Sequence, residues 1–175
     1  MDTLLPLLLL CATAAVVLYF YKNGGLTPPG ADTTPPLRAA AKRLDFRLEP
    51  RTDATARIST TELCVATMAS AFAQMDEHAA CGADCIIASL QKHLHVDAST
   101  ARDMLMVAPW IIAGSGDPTQ AFERLTKRLK QMDHGPQFNK LMAVLGDVTA
   151  AGSKGMPSAR QADAMGALAR IFRTA

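Results

Sequence analysis

The chain opens with an apolar segment whose pattern differs from that of all later regions. From Leu4 to Tyr21 there are 18 consecutive residues without a charged side chain, and Lys22 ends the run. A helix rises about 1.5 Å per residue, so this run would be about 27 Å long, close to the hydrocarbon thickness of a bilayer. A cleaved signal peptide is the alternative, but Asp2 makes the preceding residues acidic and no small-x-small site follows the run. The pattern therefore predicts a retained transmembrane helix, with residues 1–22 as the anchor.

Charges on the two sides of this segment predict its orientation. Asp2 precedes it. Basic side chains follow it, namely Lys22, Arg38, Lys42, Arg43, Arg47 and Arg51. Because cytoplasmic flanks carry the excess of Lys and Arg, we expect a single-pass protein of the bacterial inner membrane, with its N-terminus outside and its C-terminal domain in the cytoplasm. In that reducing compartment Cys64, Cys81 and Cys85 are expected to be thiols, and no disulfide is predicted.

Two regions separate the predicted anchor from the helical domain. Residues 23–36 contain four prolines and three glycines, and they are predicted to form a semi-extended tether. Residues 37–57 are basic and begin with a predicted helix that ends near Glu49. Its apolar residues share one face, namely Leu37, Ala41, Leu44 and Leu48. The helix is interpreted either as docking on the domain or as lying on anionic lipid. The lipid interpretation uses three cations: Arg38, Lys42 and Arg43.

Six further stripes of apolar residues with helical spacing fill residues 58–175. They predict helices over about residues 59–74, 84–94, 99–113, 118–132, 137–151 and 159–173. The fourth has Asp117 as N-cap and Pro118 in its first turn, and the sixth opens with a capping box of Ser158 and Gln161. Aromatic residues make up only 5% of the chain, which favours helices over a β-sandwich. The predicted fold class is all-α, with a single N-terminal transmembrane helix and a bundle of about six or seven helices.

Two turns of the helical domain resemble each other. One spans residues 75–84 (MDEHAACGAD) and the other residues 150–161 (AAGSKGMPSARQ), and each joins two predicted helices. On this paired pattern, residues 58–173 resemble the TerB-like domain, the all-helical module of tellurite-resistance proteins and of the N-terminal part of membrane-anchored DjlA-type co-chaperones. The resemblance implies a helical bundle whose acidic turn residues are associated with divalent-metal binding. The chain lacks the His-Pro-Asp tripeptide of a J domain, so no co-chaperone activity is implied.

The acidic positions of that family are degenerate in this sequence. Asp76 stands at the family's Asp, Glu77 replaces its Gly, and Ala83 or Asp84 falls where a Glu is expected. Near the acidic positions of the second turn the chain carries Ser153 and Arg160. A cation site needs several converging oxygen ligands, which a Ser and an Arg do not supply. Asp76, Glu77 and Asp84 are therefore only weak candidates for a metal site.

A second cluster combines cysteine and histidine side chains. His78, Cys81 and Cys85 lie close together in the sequence, and His93 and His95 follow them. Thiolate and imidazole at such spacing can hold zinc or copper, but the spacing matches no C-x2-C or H-x3-H pair. Buried structural cysteines and surface histidines are the ordinary interpretation. His78, Cys81 and Cys85 are thus weaker metal candidates still, and no catalytic or cofactor-binding residue is assigned.

Charge and chemistry together narrow the classes of function. The net charge of +2 is small, and no basic stretch is interleaved with aromatic residues, which argues against nucleic-acid binding. With no catalytic constellation in the sequence, we expect a membrane-anchored, non-enzymatic TerB-like interaction module with an unidentified protein partner. The resemblance ties that role to tellurite or envelope stress. The alternatives are a divalent-cation-binding regulatory domain and a thiol- or metal-dependent enzyme.

Overall fold

The described part of the chain is built from helices. The computed structural model describes residues 34–49, 53–76, 81–133, 135–152 and 155–173. These ranges contain seven α-helices: α1 (Pro35–Arg43), α2 (Thr61–Gln74), α3 (Ala83–Leu94), α4 (Ala98–Ala113), α5 (Pro118–Met132), α6 (Pro136–Ala151) and α7 (Ala159–Arg173). A 3-10 turn at Thr55–Arg57 precedes α2, and the described ranges contain no strand. The all-α prediction is confirmed, and α2 to α7 match the six predicted helices within two residues at either end.

The membrane part of the fold prediction is corrected. No helix within the described ranges is long and apolar enough to cross a bilayer. The longest of them have 16 residues, whereas a spanning helix needs about 20 apolar residues. The predicted anchor, residues 4–21, lies outside the described residues. The transmembrane helix, the bacterial inner-membrane location and the single-pass orientation are therefore withdrawn.

The first helix docks on the bundle and is shorter than predicted. α1 buries Leu37, Ala40 and Ala41, and its last residue, Arg43, forms a two-pronged ion pair with Asp103 of α4, with N–O distances of 2.5 and 2.6 Å. The helix ends at Arg43, and the residues that follow no longer have helical backbone geometry. The predicted extension to residue 49 is therefore wrong.

The cause of that early end is a tertiary contact. Asp45 adopts a left-handed conformation (φ 50°), which Asp tolerates better than most residues. The turn carries Phe46 into the core, where its ring packs edge-on against Trp110 with the centroids 5.9 Å apart. Of the two interpretations of this helix, docking on the domain is the one observed. A lipid contact by Arg38, Lys42 and Arg43 stays an untested prediction.

α2 is the central helix of the bundle. Ten of its 14 residues are buried, so it is covered on all sides by α4, α5 and α6 rather than amphipathic. Small residues such as Ala66 and Ala69 are fully buried and let neighbouring helices approach, while Phe72 packs on Phe122 of α5 with a centroid distance of 6.0 Å. The end of this central helix therefore has a fixed position, which matters for the site described next.

Candidate functional site

The two turns that resemble each other in sequence are neighbours in space. We call residues 75–82, between α2 and α3, the first turn, and residues 152–158, between α6 and α7, the second turn. The carboxylate of Asp76 in the first turn lies against Gly152, where a Cβ would come within 3.5 Å of Asp76 Oδ2. The side chain of Gln161, at the start of α7, donates a 3.0 Å hydrogen bond to the carbonyl of Phe72 near the end of α2.

The second turn is closed by hydrogen bonds. The predicted capping box is present: the amide of Ser158 donates to Gln161 Oε1 at 2.9 Å, and the amide of Gln161 donates to Ser158 Oγ at 3.2 Å. Gln161 is only 3% exposed, yet its side chain and amide make three hydrogen bonds. This turn is thereby attached to the end of α2, and its polar groups are used in the fold.

The first turn is closed by a covalent bond. Cys81 and Cys85 form a disulfide with a Cα–Cα distance of 5.5 Å, within the usual range for such bonds. Cys81 immediately precedes Gly82, the N-cap of α3, and Cys85 lies in the first turn of that helix. The prediction that these cysteines are thiols is therefore wrong. Its premise was a cytoplasmic location, which is withdrawn above, whereas the four-residue spacing places the two sulfurs on one side of the helix start.

A cleft opens beside this disulfide. It lies between α2, α3 and α4, has a volume of about 340 Å³, and is called the turn cleft below. Its apolar wall consists of Ala73, Ala83, Ile86, Leu105 and Pro109. Its other lining residues are Ser70, Gln74, Asp76 and Cys81. Pro109 lies inside α4 and has no amide hydrogen, so it cannot donate the helical hydrogen bond to the carbonyl of Leu105. The cleft therefore has an apolar surface as well as polar lining residues with oxygen and sulfur atoms.

The weak metal candidates do not assemble into a ligand set. Asp76 lines the turn cleft, whereas Asp84 is exposed in the first turn of α3. Glu77 and His78 lie outside the described residues. Within the described ranges no group of three His, Cys, Asp or Glu side chains could hold a metal ion. Cys81 and Cys85 are bonded to each other, which removes both thiolates as ligands in this state.

A polar cluster further along α3 links that helix to α6. Asp147 of α6 accepts hydrogen bonds from Ser89 and His93 of α3, both at 2.9 Å, and Lys92 lies 3.5 Å away. Burial raises the pKa of Asp147, but the hydrogen bonds and the charge of Lys92 outweigh it and hold the pKa below its usual value. Ser89 is buried and donates to Asp147 rather than to His93. The cluster is therefore a clamp between helices and not a nucleophile–base pair.

The remaining cysteine of the described domain is inert. Cys64 lies in the core of α2, and burial raises the pKa of its thiol to about 12. A thiol with that pKa carries almost no thiolate at neutral pH, so it is a poor nucleophile. Reactive sulfur in the described domain is thus confined to the first turn.

Sequence reasoning singles out one of these features, the Cys81 and Cys85 pair, and misses the other. The spacing of Cys81 and Cys85 was visible, and it could have indicated a disulfide had no compartment been assumed. The pairing of Ser89 and His93 with Asp147 bridges more than 50 residues, so no local spacing signals it. Comparison with protein-family models, characterised proteins and solved structures gives no match for this chain. The likeness to TerB-like domains stays a prediction.

Proposed function

We propose that this chain is a TerB-like interaction module that binds a short peptide segment of a partner protein in the turn cleft. The segment carries an apolar side chain next to a Lys or Arg. The observation that supports the proposal is the cleft itself, where an apolar wall meets acceptor groups. The resemblance to TerB-like domains suggests tellurite stress as the context in which the partner acts.

The size and lining of the cleft define this occupant. At about 340 Å³ it is near the lower end of the range for ligand sites, so it accommodates a few side chains. Burial of an apolar side chain against Ile86, Leu105 and Pro109 would supply the driving force. Asp76 also lines the cleft, so a basic neighbour on the peptide would lie near its carboxylate, and charge complementarity of this kind gives specificity.

The proposal is tested by filling the cleft without disturbing the core. Ala83 lines the cleft and is exposed at the start of α3, so Ala83→Trp would occupy the cleft from the solvent side. Ala88 is exposed on the same helix and does not line the cleft, so Ala88→Trp is the matched control. The tagged full chain and both variants would be used to capture proteins from the cells that make it, with quantitative mass spectrometry.

The expected result is a partner that the wild type and Ala88→Trp retain equally and that Ala83→Trp loses at least about tenfold, roughly 1.4 kcal/mol of binding free energy. A peptide from that partner should bind the full chain, and replacing its basic residue with Glu should weaken binding. Equal capture by both variants would contradict the proposal. Binding of an acidic peptide in place of a basic one would contradict the assigned occupant.

A further inference from the structure

We propose that Cys81 and Cys85 form a redox-active pair that exchanges its disulfide with two thiols of a partner protein. The proposal goes beyond the interaction function above, because it assigns a chemical activity to the first turn and does not require the turn cleft to be occupied. Three features of the described structure carry it: the position of the pair at a helix start, the unequal exposure of the two cysteines, and the small size of the ring that the bond closes.

The pair lies across the N-terminus of α3. The first helical hydrogen bond runs from the amide of Ile86 to the carbonyl of Gly82 at 3.3 Å, so the amides of the three residues before Ile86 have no acceptor within the helix. Gly82, the N-cap, has no side chain that could cap them. Amides at such a helix start stabilise a nearby thiolate, and Cys85 is one of the residues in this turn. Helical side chains lean toward the N-terminus, which brings the Cys85 sulfur toward these amides.

The two cysteine residues differ in their exposure to solvent. Cys85 is partly exposed, whereas Cys81 is only 6% exposed and faces the turn cleft. An incoming thiolate therefore reaches Cys85 first, and Cys81 is the leaving group. After reduction Cys85 is the nucleophile, and Cys81 is held one helical turn away to resolve a mixed disulfide.

We expect reduction to leave the fold in place. The bond closes a ring of five residues, which restricts the unfolded chain much less than a long loop does. The helices on both sides have their own buried anchors, among them Phe72 in α2 and Leu90 in α3. The dithiol form is therefore expected to keep the folded structure, as a working redox pair requires.

The exchange balances without a further reactant. A partner thiol loses its proton, and its thiolate attacks Cys85 Sγ. The bond between the two cysteine sulfurs breaks, and its electron pair leaves on Cys81 Sγ, which takes up a proton. A second partner thiolate then attacks the partner sulfur of the mixed disulfide, and Cys85 leaves and is protonated. Two electrons and two protons have passed from the partner dithiol to the pair, and the partner has gained a disulfide.

The first test measures whether the bond exchanges at all. The full chain with Cys11→Ser, which removes the thiol outside the described domain, is equilibrated in mixtures of reduced and oxidised glutathione. Quenching, alkylation and mass spectrometry then give the reduced fraction of the peptide that carries both cysteines. We expect this fraction to rise from below about one tenth to above about nine tenths across the mixtures, with the helical circular dichroism unchanged. A bond that stays oxidised in every mixture, or one whose reduction unfolds the chain, would overturn the proposal.

The second test assigns the attacked sulfur. Each single variant, Cys81→Ser and Cys85→Ser, is mixed with oxidised glutathione, and formation of the mixed disulfide is followed by mass. The Cys85 thiol of Cys81→Ser should react at least about tenfold faster than the Cys81 thiol of Cys85→Ser, because it is more exposed and lies in the first helical turn. Cys64 is present in every variant and should stay unmodified. Equal rates, or faster reaction of Cys81, would refute the assigned order.

These outcomes are separable from those of the interaction function. Gln74 lines the turn cleft and lies outside the disulfide ring, so Gln74→Trp should lose the captured partner and keep the glutathione equilibrium. A chain that captures its partner through the cleft and yet never exchanges with glutathione would refute the redox proposal alone.

Discussion

The two turns of the domain connect helix pairs of similar length, yet different chemistry closes them. The second turn is closed by the Ser158–Gln161 capping box, and Gln161 also binds the carbonyl of Phe72. The first turn, a neighbour of the second at Asp76 and Gly152, is closed by the Cys81–Cys85 disulfide. The polar groups of the second turn are thus used in hydrogen bonds within the fold. The first turn instead lies beside an open cleft and a disulfide that we propose to be reactive.

This division of roles follows from burial. Gln161 is 3% exposed, and the oxygen and the nitrogen of its side-chain amide are both hydrogen-bonded within the fold, so it presents almost no surface to a ligand. Ala83 and Asp84, which follow the first turn at the start of α3, are exposed, and Ala83 lines the cleft. We therefore expect substitutions in the second turn to change stability most, and substitutions in the first turn to change binding and redox chemistry most.

The largest stability effect is expected from Gln161→Ala. The change removes the two hydrogen bonds of the Gln161 side chain and leaves the carbonyl of Phe72 without its side-chain donor in a buried position. Such a loss costs about 1–3 kcal/mol of the free energy of unfolding, and the upper part of that range is expected here. Urea denaturation of the full chain would measure it, with Gln91→Ala, at an exposed position of α3, as the control. A loss no larger than that of the control would show that the second turn does not carry the stability assigned to it.

A smaller effect is expected from opening the first turn. For a ring of five residues the chain-entropy relation gives about 2 kcal/mol at most, so reduction of the wild type should lower the free energy of unfolding by that amount or less. Cys81→Ala/Cys85→Ala is the matched control, because its unfolding should be insensitive to reductant. If reduction lowered the free energy of unfolding more than Gln161→Ala does, the first turn, and not the second, would contribute more to stability, which contradicts the roles given above.

The smallest effect on the free energy of unfolding is expected from a change at Asp147, which joins α6 to α3. The pKa of Asp147 is lowered in the folded state, so its contribution is fully present above the unfolded value of about 3.9 and is lost as the pH falls through the lower folded value. Because the Asp147 side chain is 36% exposed, solvent screening limits the contribution to about 0.5–1 kcal/mol.

Thermal melts of the wild type and Asp147→Asn between pH 7 and pH 3 would measure that contribution. The variant should be less stable at pH 7, and the difference between the two proteins should shrink below pH 4. A difference that is constant with pH would mean that the ionised carboxylate contributes nothing and that only packing was lost.

The sequence predicted what periodicity and local chemistry determine. Apolar spacing located α2 to α7, and Asp117 was predicted as the N-cap of α5, where it accepts hydrogen bonds from the amides of Thr119 and Gln120. What it could not predict depends on residues distant in the chain. The burial of Phe46 against Trp110 ends α1 early, and Asp103 pairs with a cation 60 residues away.

The candidate site was predicted in part. Asp76, Cys81 and Cys85 were singled out as weak metal candidates, and the structure places them in or beside the first turn. The disulfide was missed because an assumed reducing compartment excluded it. The turn cleft could not have been foreseen, since it requires the packing of α4, with Leu105 and Pro109, against the ends of two other helices.

We infer above all that the domain binds its partner at the first turn and not at the second turn. Hydrogen–deuterium exchange of the full chain, with and without the partner captured by the wild type, tests it most directly. We expect the partner to slow the exchange of amides in residues 70–76 and 81–86 and to leave the exchange of residues 152–161 unchanged. Protection confined to residues 152–161, with none beside the Cys81–Cys85 disulfide, would contradict it.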